Sequence, residues 1–143
     1  MTTQEQLTQV FNDNFVAYFR SHVAHVNIMG RNFASDHELL GGVYEELQGQ
    51  IDTIAELLRS LGEFMPDSLH DVLEGAKIVD DSVEGDSDTL LALVKYDLEE
   101  LKGSYQELIA VADSEGYLEI SNYAQERVLS LAKHIWMFDS TLS

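Results

Sequence analysis

Apolar residues recur at steps of three and four along four long stretches of this chain, and its one proline, Pro66, falls in the long gap between the second and third. Steps of i, i+3 and i+4 line one face of a helix, whereas a proline inside a helix removes a hydrogen bond and clashes with the preceding turn. A sequence so patterned is suited to long helices rather than to a strand-rich fold. The first stretch starts near residue 4 with Leu7, Val10, Phe11, Phe15, Tyr18, Phe19, His22, Val23 and Val26, and Gly30 is placed to end it as a C-cap. The second can be capped by Ser35 or Asp36, with Glu38 three residues after Ser35 as in a capping box. Its stripe runs from Leu39 or Leu40 through Val43, Tyr44, Leu47, Ile51, Ile54, Ala55, Leu58 and Leu61 to Gly62. Gly41 and Gly42 lie inside it, at about 1 kcal/mol each relative to alanine, which points to close approach by a neighbouring segment such as another subunit.

Ser68 to Glu74 reads as a short helix after Pro66, and the acidic run Asp80 to Asp88 as a loop. A third long stripe follows from Leu90 to Ala112, stopped by Asp113-Ser114-Glu115-Gly116, and a fourth runs from Ile120 to Phe138. Two tight hairpins joined by the long connection of residues 63–88 have the connectivity of a ferritin-like four-helix bundle. The expected fold is therefore all-α, one domain over residues 1–143, with a short helix in the crossover between the second and third long helices.

At 143 residues the chain can bury a substantial core, and no apolar run approaches the roughly 18–20 residues that a bilayer span requires. The start, Met1-Thr2-Thr3-Gln4-Glu5-Gln6, has neither the basic residues nor the apolar stretch of a signal peptide. With no cysteine, disulfides and thiolate metal sites are excluded, and a cytoplasmic location is expected. The formal net charge of −18, with only eight Lys and Arg, argues against direct binding to nucleic-acid phosphates and favours the attraction of cations such as Fe²⁺.

The chemistry concentrates between residues 22 and 56. His22 and His25 are three apart and share a helical side, His37-Glu38 opens the next helix, and Asp52 and Glu56 are four apart with their carboxylates on one side. Imidazole nitrogens with carboxylate oxygens suit Fe²⁺, Mn²⁺ or Zn²⁺. No Glu-x-x-His occurs, so the usual di-iron site inside a ferritin-like bundle cannot be built from this chain. His70 and His134 lack an acidic partner at useful sequence spacing and are expected to be structural. Tyr105 and Trp136 are expected in the core or at subunit contacts, as is Tyr44, which could relay electrons if it lies near the site.

The run His22-Val23-Ala24-His25-Val26-Asn27-Ile28-Met29-Gly30-Arg31-Asn32-Phe33-Ala34-Ser35-Asp36-His37-Glu38 resembles the Dps family (DNA-binding protein from starved cells). So do Val43-Tyr44-Glu45-Glu46-Leu47, Ile51-Asp52-Thr53-Ile54-Ala55-Glu56 and, near the end, Lys133-His134-Ile135-Trp136-Met137-Phe138. The resemblance implies a hollow homododecamer with iron-oxidising sites at two-fold interfaces. There His25 and His37 of one protomer would face Asp52 and Glu56 of its partner, binding Fe²⁺ (with Zn²⁺ as another possible occupant). It implies oxidation of Fe²⁺, preferably by hydrogen peroxide, and storage of the ferric product inside the shell. His22 would either orient a ligand or anion from behind or be only a polar residue in the interface, Glu38 would either support the ligands or serve as a capping acid, and Glu119 and Glu126 could line an iron-entry pore. The sequence departs from the family in four places. Gly41 stands where an acidic ligand often follows the second histidine by one turn, and Val26 replaces a tryptophan. Lysine-rich tails are lacking, and Tyr117, Leu118 and Asn122 occupy the expected pore region. The competing expectation is a nucleic-acid-associated or structural cage of the same fold with weak or lost oxidase activity.

Overall fold

The computed structural model describes residues 1–143 and contains five helices and no strand. They are α1 (Thr3–Asn27), α2 (Phe33–Ser60), α3 (Leu69–Gly75), α4 (Ser87–Glu115) and α5 (Leu118–Leu142). Short links join α1 to α2 and α4 to α5, while the 61–86 crossover carries α3 along α1. The bundle closes through α1 against α2, α4 against α5 and α1 against α4, the ferritin-like arrangement expected from the apolar stripes. No helix is long and apolar enough to cross a membrane.

Local chemistry accounts for most helix ends. Thr2 caps α1 with a full capping box, its Oγ1 accepting from the Glu5 amide while the Thr2 amide donates to Glu5 Oε1, both at 3.1 Å. Asp86 accepts from the Thr89 amide at 2.8 Å to start α4, and Gly116, at φ 81°, stops it in the left-handed region. The capping box expected at Ser35 and Glu38 does not form. The chain turns at Gly30 (φ 131°), so α2 begins at Phe33 and Ser35 already lies in its first turn, its hydroxyl donating to the Asn32 carbonyl at 3.1 Å. For the same reason Gly30 does not cap α1, which ends in extended backbone at Ile28.

The stripes of α2, α4 and α5 face a core of 27 buried apolar residues that includes Leu40, Leu47, Leu98, Tyr105, Leu131 and Phe138. Helix α1 departs from its expected face. Phe19 and Val26 are exposed, while Leu7, Val10, Phe11, Ala17 and Ala24 are buried together with Thr3, Gln6, Asp13, Asn14, Arg20 and Ser21. Three helices pack on α1, so its polar side is covered as well, and its buried polar groups must find partners. Asp13 Oδ1 accepts from the Lys77 and Ile78 amides at 2.7 and 3.3 Å, and its Oδ2 accepts from Ser104 Oγ at 2.6 Å. One carboxylate thereby fixes the crossover to α1 and α4. Arg20 Nε donates to Asp97 Oδ2 at 2.7 Å, and its Nη1 donates to the Asp81 carbonyl at 2.7 Å.

Candidate metal centre

The link between α1 and α2 brings the last turn of one helix beside the first turns of the next, and with them His25 and His37. Their hydrogen bonds are reciprocal: His25 Nδ1 donates to the His37 carbonyl at 2.7 Å, and His37 Nδ1 donates to the His25 carbonyl at 2.8 Å. A carbonyl oxygen can only accept, so both Nδ1 atoms carry the proton and both Nε2 lone pairs are left free in the neutral rings, the form that binds a metal ion. The rings stack with centroids 3.7 Å apart and planes 18° apart. A nitrogen lone pair lies in its ring plane, so planes this nearly parallel do not meet at a metal–nitrogen distance of about 2 Å. In this pose each imidazole offers its own coordination position.

Gly41 leaves room for the pose. A Cβ at that position would stand 3.0 Å from His25 Cε1 and 3.3 Å from Nδ1, so the imidazole rests on the α2 backbone where another residue would project a side chain. The close approach expected around the glycine pair is met at Gly41 by α1 of the same chain, and within the chain nothing lies within 4 Å of a Cβ at Gly42. Tyr44 lies against His25, with ring centroids 4.9 Å apart, and stacks on His22 at 4.1 Å with planes 2° apart. Phe33 stacks on His37 at 4.9 Å.

Asp52 and Glu56 sit together on an exposed side of α2. Interaction with the neighbouring Asp52 carboxyl, through a hydrogen bond and mutual repulsion, raises the Glu56 carboxyl above its ordinary value. Fifteen residues separate His37 from Asp52, about 22 Å along a helix. Within one protomer no three metal-ligating side chains converge. The histidine pair and the carboxylate pair are each assembled, but apart from one another.

The remaining candidates are dispersed. His22 stacks on Tyr44, with its ring centroid 6.3 Å from that of His25. Glu38 is exposed and caps nothing, lining a surface cavity with Asp36, Leu39, His134 and Trp136. Glu119, in the first turn of α5, and Glu126 are both exposed. Two expectations need correction. His70 does have an acidic partner, Glu74 at 2.9 Å, an exposed pair one helical turn apart. His134 has one too: Glu46 of α2 accepts from His134, Ser130 and Arg127 of α5. Partial burial pushes the Glu46 carboxyl up, but those three hydrogen bonds outweigh it and hold the group at about 2. No local spacing could have revealed a pair 88 residues apart.

The ferritin-like domain model matches residues 4–143. The DNA protection during starvation protein (Dps) of Listeria monocytogenes is 32% identical over 94% of this chain and 86% of its own length. The X-ray structure of Dps from the same organism superposes with a TM-score of 0.94 at 29% identity, covering 99% of this chain and 94% of that one. The chain is a ferritin-like protein of the Dps family. Another relative, antigen TpF1 of Treponema pallidum, is 33% identical over 96% of this chain and 78% of its own length.

Proposed function

We propose that this Dps protein is a cytoplasmic ferroxidase and iron store. Fe²⁺ is bound between subunits by His25 and His37 of one protomer and the partner subunit's Asp52 and Glu56. It is oxidised there by hydrogen peroxide, and the ferric product is kept inside a shell of twelve copies. The overall reaction is 2 Fe²⁺ + H₂O₂ + 2 H⁺ → 2 Fe³⁺ + 2 H₂O, which consumes both reactants of hydroxyl-radical formation together. One observation carries the reading: two imidazoles have their Nε2 atoms freed by a reciprocal backbone latch, while an exposed carboxylate pair lies about 22 Å along α2. Neither half suffices as a site alone, and a second copy supplies what each lacks.

The side chains divide the chemistry. The neutral imidazoles give borderline nitrogen donors, and the carboxylates give hard oxygens that favour Fe³⁺ over Fe²⁺ and so lower the cost of losing an electron. Stopped-flow oxidation of Fe²⁺ by peroxide tests this, comparing wild type with His25→Ala and Glu56→Ala. Each variant should be slower by at least tenfold while keeping its helical content and assembled mass. Equal rates would remove the catalytic assignment.

A further inference from the structure

Reduction of hydrogen peroxide to water takes two electrons, and one Fe²⁺ supplies one. A site holding a single ferrous ion must find the second electron elsewhere or release a hydroxyl radical. The rings in contact with the two imidazoles therefore decide the outcome, and apart from the histidines themselves there are three: His22, Phe33 and Tyr44. Of these, only the phenol of Tyr44 is readily oxidised. The residue following His25 is Val26, exposed and aliphatic. Tyr44 is half-buried, with its ring centroid 4.9 Å from that of His25, and its parallel stack on His22 at 4.1 Å fixes it there. The aromatic contacts continue from His22 to Tyr18 at 5.9 Å and on to Phe15 at 6.2 Å. Gly41 matters as well, because it lets the His25 ring lie inward beside Tyr44 and adds no anionic side chain to retain a second ion.

We propose that Tyr44 donates the second electron to peroxide, through the His25 imidazole, whenever the site holds one ferrous ion. This rests on the ferroxidase reading above and adds a redox role for a residue outside the ligand set. The step balances as Fe²⁺ + Tyr44–OH + H₂O₂ + H⁺ → Fe³⁺ + Tyr44–O• + 2 H₂O: the O–O bond breaks, iron and the phenol are each oxidised by one electron, and the phenolic proton goes into water. The next ferrous ion restores the residue by Tyr44–O• + Fe²⁺ + H⁺ → Tyr44–OH + Fe³⁺. The two steps sum to the overall reaction, and no hydroxyl radical is released even when iron is scarce.

The test mixes the assembled protein, loaded anaerobically with one Fe²⁺ per subunit, with hydrogen peroxide and follows it by freeze-quench electron paramagnetic resonance and a hydroxyl-radical spin trap. Wild type and the control Tyr18→Phe should show a tyrosyl signal and little trapped radical. Tyr44→Phe should lose that signal and release several-fold more trapped radical, with its affinity for Co²⁺ within twofold of wild type, so that loss of the site is not the cause. Iron oxidation without a tyrosyl signal in the wild type, or with the same signal in Tyr44→Phe, overturns the donor role and leaves the ferroxidase reading standing. Failure of the wild type to oxidise iron at all removes both.

Discussion

Glu46 illustrates how much one side chain can hold together across this bundle. Its carboxylate ties α2 to α5 through Arg127, Ser130 and His134, and those donors keep it at about 2 instead of the ordinary 4.5. A folded-state value below the unfolded one means the contribution to stability is complete above about pH 4.5 and is lost as the pH falls towards 2. Glu46→Gln should therefore lower stability at pH 7 by about 1–3 kcal/mol, the cost of weakening charge-assisted hydrogen bonds and leaving Arg127 with a poorer partner. In thermal melts the gap between wild type and variant should close between pH 4.5 and 2; a gap that persists unchanged would sink this account. The sequence could not disclose the cluster, because its members lie on helices two and five and only packing brings them together. The four proposed ligands were legible for the opposite reason. His22-x-x-His25 and Asp52-x-x-x-Glu56 each fall within one turn of a helix, and His37 opens the next helix after a short link. What spacing alone could not show was the reciprocal latch or the seat that Gly41 gives the His25 ring, since both depend on the angle at which α2 meets α1.

Among the elements, α1 departs furthest from its sequence pattern. Its apolar residues trace one stripe, which would be its whole buried face if it packed on a single neighbour. Because α2, α3 and α4 all touch it, polar residues that look solvent-facing in sequence are interior, and they orient the crossover. Asp13 is the key case, fully buried and accepting from two crossover amides and one serine hydroxyl. Asp13→Ala would strand the Lys77 and Ile78 amides at a cost of about 1–3 kcal/mol for each that stays out of water. The expected result is a lower melting temperature together with limited proteolysis concentrated in residues 63–86, while the interior of α2 stays resistant. Uniform cleavage throughout the chain would mean that Asp13 supports the bundle generally and does not fasten the crossover. The end of α4 is legible at Gly116, but its start is not: the acidic run Asp80 to Asp88 reads as a loop, whereas Asp86 caps a helix that begins at Ser87. At Ser35 two signals competed, and the turn at Gly30 set the start of α2 before the local capping motif could act.

The whole molecule must reconcile a net charge of −18 per chain with self-association. Like charges on separate copies repel, so apolar contact has to drive assembly, and large side chains such as Phe19, Phe64, Tyr96 and Trp136 are exposed on the single chain. The proposed shell of twelve 16.1 kDa chains would have a mass of about 193 kDa and would carry a large negative potential. Salt should then act on assembly and on iron capture in opposite senses. It screens repulsion between subunits, so the mass by light scattering should hold or rise as NaCl increases from 20 to 500 mM, concentrations that take the Debye length from about 20 Å to about 4 Å. It also screens the attraction that concentrates Fe²⁺ at the shell, so oxidation at sub-saturating iron should slow several-fold over the same range, with the saturated rate little changed. The same field opposes polyanions, and duplex DNA should not be retarded in a gel at low salt without divalent cations. If oxidation at low iron proved indifferent to salt while the mass stayed constant, cation capture by the acidic shell would have to be abandoned, and delivery of iron to His25 and His37 would be a matter of local pores alone.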